Sequence, residues 1–104
     1  MKREKIDLIK KFIYENIKIL EDTKAAREDK KIARMLIREE VEGLAKDFFK
    51  AITIDGTSEE VLAYRSDMKE VAEMLQSYLA KLDYNQNNID KEIYRVYSDI
   101  LFII

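Results

Sequence analysis

Acidic side chains crowd one stretch of the sequence and are its strongest candidates for chemistry. The four are Glu39, Glu40, Glu42 and Asp47. Carboxylates can bind a hard cation such as Mg²⁺, or act as a general acid and base, only where they converge on one point. Adjacent helix positions point in different directions, and an EExxE spacing would need an acid where Gly43 stands. We therefore predict that this cluster is a solvated helix face and binds no metal.

The residue types that are missing exclude most other catalytic chemistry. The sequence has no His and no Cys, so it offers no imidazole or thiolate as nucleophile, base or metal ligand. A calcium loop would need acids at alternate positions before Gly56, but Ala51 and Thr53 stand there. No glycine-rich phosphate loop is present. We expect a protein that is not an enzyme and that takes no cofactor, metal or small-molecule substrate.

Charge is distributed unevenly along the 104 residues, although the total is nearly balanced. The 19 Lys and Arg and 21 Asp and Glu residues give a formal net charge of −2. Basic residues predominate in positions 1–50 and acidic residues in positions 51–104. Nucleic-acid-binding domains are usually basic overall, so a nucleic-acid partner is not expected. Two interpretations of the gradient stay open: the halves pack beside each other, or the acidic half meets a basic protein target.

Apolar residues recur at spacings of three and four positions along most of the chain, which predicts amphipathic helices. The pattern lapses between positions 21 and 31, where we expect either a turn or an exposed helical extension. We predict a single all-α domain, an antiparallel helical hairpin extended to a four-helix bundle. The expected helices lie near 3–21, 25–53, 58–82 and 88–103.

Turn chemistry marks two breaks between the expected helices. Gly56 can take the left-handed conformation that often follows a helix C-terminus. Thr57 and Glu60 have the spacing of a capping box, which predicts the start of the third helix. A polar loop precedes the last helix, and Asn87 or Asn88 is the expected cap.

Two further positions on the second helix are unusual for a helix. The segment Ile52-Thr53-Ile54 is β-branched, and we interpret it as a fraying helix end rather than a strand. Gly43 lies inside the helix, where it costs about 1 kcal/mol relative to Ala. It marks either an exposed face or the close approach of another helix, including one from a second subunit.

The C-terminal end of the sequence is apolar and carries the predicted interaction surface. An apolar tail left in water would form a sticky patch, so it either folds onto its own bundle or meets a partner or a second copy. We favour the partner or oligomer. The predicted interface residues are Tyr94, Tyr97, Leu101, Phe102, Ile103 and Ile104.

Targeting signals are not evident in the sequence. The apolar tail is far shorter than the ~20 residues that a membrane span needs. The first residues are basic, but Asp7, Lys10 and Lys11 interrupt the apolar core that a signal peptide would require. We expect a soluble protein, in the cytoplasm or within a particle.

The segment Leu44–Leu82 resembles the short charged hairpins of small structural and accessory proteins of tailed phages. The resemblance implies a subunit of a larger, virion-like complex and transfers no functional residue. We therefore predict a non-enzymatic assembly or protein-interaction subunit that acts by helix-face packing. The alternative is a small inhibitor or immunity-type protein that neutralises a basic protein target.

Overall fold

The expected helices form, and no strand occurs in residues 2–86 and 90–104, which the computed structural model describes. The helices are α1 (Lys2–Glu21), α2 (Arg27–Lys50), α3 (Ser58–Gln86) and α4 (Lys91–Ile103), and a π-helical segment, Ala51–Asp55, follows α2. The predicted all-α class is confirmed. The largest difference in boundaries is in α3, which continues beyond the expected end at Leu82.

Helices α2 and α3 form an antiparallel hairpin, and α1 and α4 lie on its two sides. Each outer helix contacts both α2 and α3, whereas α1 and α4 do not touch each other within the described residues. The Cα atoms span 44 × 24 × 15 Å, so the bundle is long and flat. This arrangement is the predicted hairpin with a further helix added on either side.

The core runs along the hairpin and receives one apolar stripe from each helix. Helix α2 buries positions at alternating spacings of four and three, as a helix packed against neighbours should. These positions are Ile37, Val41, Leu44 and Phe48, and Ala51 continues the series in the π-helical segment. The side chains with almost no exposure come from all four helices: Ile13, Ile37, Leu44, Phe48, Met68, Val71, Leu75, Ile93 and Ile100.

The segment between α1 and α2 is a turn and not a helical extension. The Asp22 carboxylate accepts a hydrogen bond from the Lys24 backbone N–H at 2.9 Å, and the Asp22 carbonyl accepts one from Ala25 at 3.2 Å. Helix α2 then begins without a side-chain cap. Glu28 and Asp29 in its first turn are favourably placed against the positive end of the helix dipole.

The end of α2 differs from its prediction in two ways. Instead of fraying, the β-branched segment continues as a π-helix, and the Thr53 hydroxyl donates to the Phe49 carbonyl at 2.7 Å. The prediction of a left-handed Gly56 is wrong, because its φ is −78° and its ψ is 140°. Glycine is needed there because its N–H donates to the Ala51 carbonyl at 2.9 Å, and a Cβ would lie 2.1 Å from that oxygen.

Alanine substitutions at Gly56 and Gly43 should therefore change the stability of the protein in opposite directions. Gly56→Ala forces the backbone away from Ala51, and we expect the free energy of unfolding to fall by about 1–3 kcal/mol. A Cβ at Gly43 meets nothing within 4 Å in the described structure, so Gly43→Ala should raise the free energy of unfolding by about 0.5–1 kcal/mol. Urea denaturation measures both changes. Equal effects at the two sites would contradict this account of Gly56.

The helix caps confirm one sequence prediction and correct another. The Thr57 hydroxyl accepts a hydrogen bond from the Glu60 backbone N–H at 3.1 Å, so Thr57 caps α3 as predicted. Helix α4 is capped by Asp90, whose carboxylate accepts from the Ile93 backbone N–H at 3.1 Å. The prediction of an asparagine cap is therefore wrong. Asn87 and Asn88 lie outside the described residues.

Candidate functional site

Asp90 fixes the start of α4 by joining three helices. One carboxylate oxygen caps α4, and the other accepts hydrogen bonds from the Tyr78 hydroxyl at 2.6 Å and from Arg34 Nε at 2.8 Å. Both Asp90 and Tyr78 are buried. Burial, followed by the hydrogen bond to Asp90, raises the pKa of Tyr78 well above its usual value. The phenol therefore stays neutral and donates, so α4 starts from a rigid position.

A second polar cluster ties α1 to α3 on the other side of the bundle. Asp67 is buried, and its carboxylate forms ion pairs with Arg3 and Lys10. The distance from Lys10 Nζ to Asp67 Oδ1 is 3.1 Å. Lys10 also binds Glu70 at 2.7 Å, and this hydrogen bond is the largest cause of the raised pKa of Lys10. Arg3 and Lys10 compensate the buried charge of the Asp67 carboxylate, so the cluster stabilises the fold and need not be a binding site.

Ion pairs between the two halves of the chain explain the charge gradient. In most of these pairs the base lies in the first half of the chain and the acid in the second half. In one pair the second half supplies the base, Lys81, and the first half the acid, Glu21. The pairs with the predominant sense are Arg3–Asp67, Lys10–Asp67, Lys10–Glu70, Arg34–Asp90 and Arg38–Glu92. The structure thus has the first arrangement that the sequence left open, in which the basic half packs beside the acidic half.

The predicted interface residues divide between the core and the surface. Tyr97, Ile103 and Ile104 are partly buried and pack against the core. Tyr94 and Leu101 remain 54% and 50% exposed. Phe102 is 93% exposed, more than any other large apolar side chain of the described residues. The tail therefore folds onto its own bundle in part and still presents an apolar surface.

A groove of about 910 Å³ runs between α2 and α4 and ends at Phe102. The two helices are parallel here, since Arg34 faces Asp90 and Arg38 faces Glu92 further along. The floor is apolar and consists of Val41, Ala45 and Val96. Charged residues line the rim: Arg38, Glu42, Lys91, Glu92, Arg95 and Asp99. An apolar floor with a charged rim is the chemistry of a protein-binding groove.

Other exposed apolar side chains were not predicted as surface. Phe49 is 47% exposed on α2, one position after the buried Phe48. A second exposed set lies along α1 and α2: Leu8, Phe12, Ile19 and Ile32. Adjacent helix positions point about 100° apart, so the FF pair could have signalled one buried and one exposed ring.

The acidic cluster on α2 has no converging geometry. Glu39 and Glu42 are exposed, and Glu40 and Asp47 are partly exposed. No group of three acidic side chains in the described part of the chain is placed to hold a metal ion. None of the four side chains is buried, as is typical of a solvated helix face.

The fold belongs to the class of all-α helical bundles. Comparison with protein-family models, with curated proteins and with solved structures gives no match. None of the described helices has both the length and the apolar character that crossing a bilayer requires.

Proposed function

We propose that this chain is a non-enzymatic protein-interaction subunit that contacts its partner through the outer face of α4. The observation that carries the proposal is Phe102, whose ring is 93% exposed beside a groove with an apolar floor. Fully burying a phenylalanine ring contributes about 1.5–3 kcal/mol. Aromatic anchors beside pockets are typical of the residues that dominate binding energy.

The anchoring of α4 supports this proposal. Ile93, Val96 and Ile100 are buried in the core, and Asp90 fixes the first turn. The helix is therefore ordered before any partner arrives, and binding costs little further conformational entropy. That the partner complex is virion-like stays a prediction from the sequence resemblance.

The inhibitor alternative has less support. It requires acidic residues of the second half to be available for a basic target. Several of them contact bases of the same chain instead: Asp67, Glu70, Asp90 and Glu92. We therefore prefer the interaction subunit.

Site-specific photocrosslinking tests the proposed surface. Phe102→p-benzoylphenylalanine keeps an aromatic side chain at the site, and the same substitution at Glu73, which is exposed on α3, is the matched control. We expect covalent adducts from position 102 and none from position 73, both in purified protein and in extracts of the cells that make it. Mass spectrometry identifies the adducts. Absence of any adduct from position 102 in both preparations would contradict the proposal.

A further inference from the structure

We infer that the partner of this surface is a second copy of the same chain, related by a two-fold axis that makes the two α4 helices antiparallel. The inference rests on the proposed function and adds the identity and orientation of the partner. Two-fold dimers are the commonest oligomers, and their interfaces must be complementary to themselves. The surface around the groove meets that condition in its charges and in its apolar parts.

The charges around the groove change sign from one end to the other. Three bases and one acid lie toward the end where α4 begins: Arg38, Lys91, Arg95 and Glu92. Glu92 pairs with Arg38, so the net charge at this end is positive. Glu42 and Asp99 lie further along the two parallel helices, toward Phe102. A half-turn about an axis through the middle of this face places the positive end of one copy against the negative end of the other. The field along the groove therefore favours antiparallel pairing and disfavours parallel pairing.

Arg95 and Asp99 are the pair best placed to make reciprocal contacts. Both are exposed, and neither forms an ion pair with any described residue. They are spaced i,i+4 with the base first, which is the less favourable order within a helix. They lie symmetrically on either side of Tyr97, so an axis at that height brings Arg95 to Asp99 of the partner subunit. The same rotation forms the second, identical pair.

The same axis gives Phe102 a place to bind. Phe102 follows Tyr97 by as many positions as Glu92 precedes it, so the ring reaches the beginning of the partner's α4. At that level the rim carries Arg38, Lys91 and Glu92, and the apolar floor begins at Val41 and continues toward Val96. Apolar contact with the floor and stacking against a guanidinium both favour an aromatic ring. Each copy thus covers the most exposed apolar side chain of the other.

Charge reversal provides a test that only reciprocal pairing satisfies. Sedimentation velocity over a range of concentrations measures dimerisation of the wild type, Arg95→Asp, Asp99→Arg and the double variant. Each single change places two like-charge contacts in the dimer, so we expect its dissociation constant to rise at least about tenfold. The double change restores opposite charges across the axis, and dimerisation should return to near the wild-type level.

A mixture of the two single variants is the sharpest arm of the experiment. One subunit then carries acids at positions 95 and 99, and the other carries bases at both positions. An equimolar mixture should therefore dimerise more tightly than either variant alone. Glu73→Lys is the charge control and should leave dimerisation unchanged. Circular dichroism verifies that all variants fold, as expected for substitutions at exposed positions.

The outcomes separate the dimer from the broader proposal. A wild type that stays monomeric at all concentrations would contradict the inference that the partner is a second copy of this chain. An adduct between position 102 and a different protein would still support an interaction surface on α4. A dimer that ignores all the charge changes would overturn the antiparallel geometry. A dimer lost in the single variants and recovered in the mixture would establish it.

Discussion

Replacing Asp90 with alanine is expected to lower the free energy of unfolding by about 3 kcal/mol or more. The substitution removes the helix cap and leaves the Tyr78 hydroxyl buried without its acceptor. It also leaves the Arg34 guanidinium, which is partly buried, without the carboxylate that it binds. Arg34 keeps some access to water, so the loss lies toward the lower end of the range for broken buried pairs. Urea denaturation measures the change.

Two further variants separate the contributions of Asp90. Asp90→Asn keeps a capping oxygen and removes the charge, so its loss should be smaller than that of alanine. Glu92→Ala is the control, because it breaks a neighbouring ion pair with Arg38 that is exposed on both sides. We expect a change of about 1 kcal/mol or less there. Equal losses for Asp90→Ala and Glu92→Ala would show that Asp90 does not hold α4 in place.

Phe48→Ala is expected to destabilise the protein by about 3–5 kcal/mol. Phe48 is 1% exposed near the C-terminal end of α2, and the Arg65 guanidinium lies 5.8 Å from the centre of its ring. Removing the ring loses the transfer free energy of its atoms and leaves a cavity that the helices fill only partly. Thermal or urea unfolding, followed by circular dichroism, measures the loss.

The adjacent ring provides the matched control for Phe48. Phe49→Ala removes the same atoms from a side chain that is 47% exposed, and about 1 kcal/mol or less should be lost. The difference between the two variants reports the orientation of α2 about its axis. Comparable losses would mean that α2 is rotated relative to the structure described above.

The fold could be predicted because its information is local and periodic. In α2 the positions of Ile37, Val41, Leu44 and Phe48 alone indicate which face is buried. The path at Gly56 could not be predicted in the same way. Glycine suits both a left-handed turn and a close approach, and only the position of the Ala51 carbonyl decides between them.

The candidate site could be predicted only in part from the sequence. Composition indicated that the end of the chain is apolar, but burial depends on the direction of each side chain. Phe102 and Ile103 are neighbours in sequence, yet only Ile103 packs against the core. The groove was not predictable, because it needs α2 and α4 side by side. That arrangement depends on Asp90, whose partners Arg34 and Tyr78 are distant in sequence.

The separation of α1 from α4 determines how many partners one molecule can hold. The α2–α3 hairpin lies between them, so the exposed apolar side chains of α1, Leu8 and Phe12, are on the far side from Phe102. Two copies joined through α4 would carry their α1 helices at opposite outer sides, related by the same axis. Such a dimer is bivalent: any contact made by one α1 face is available twice, pointing in opposite directions.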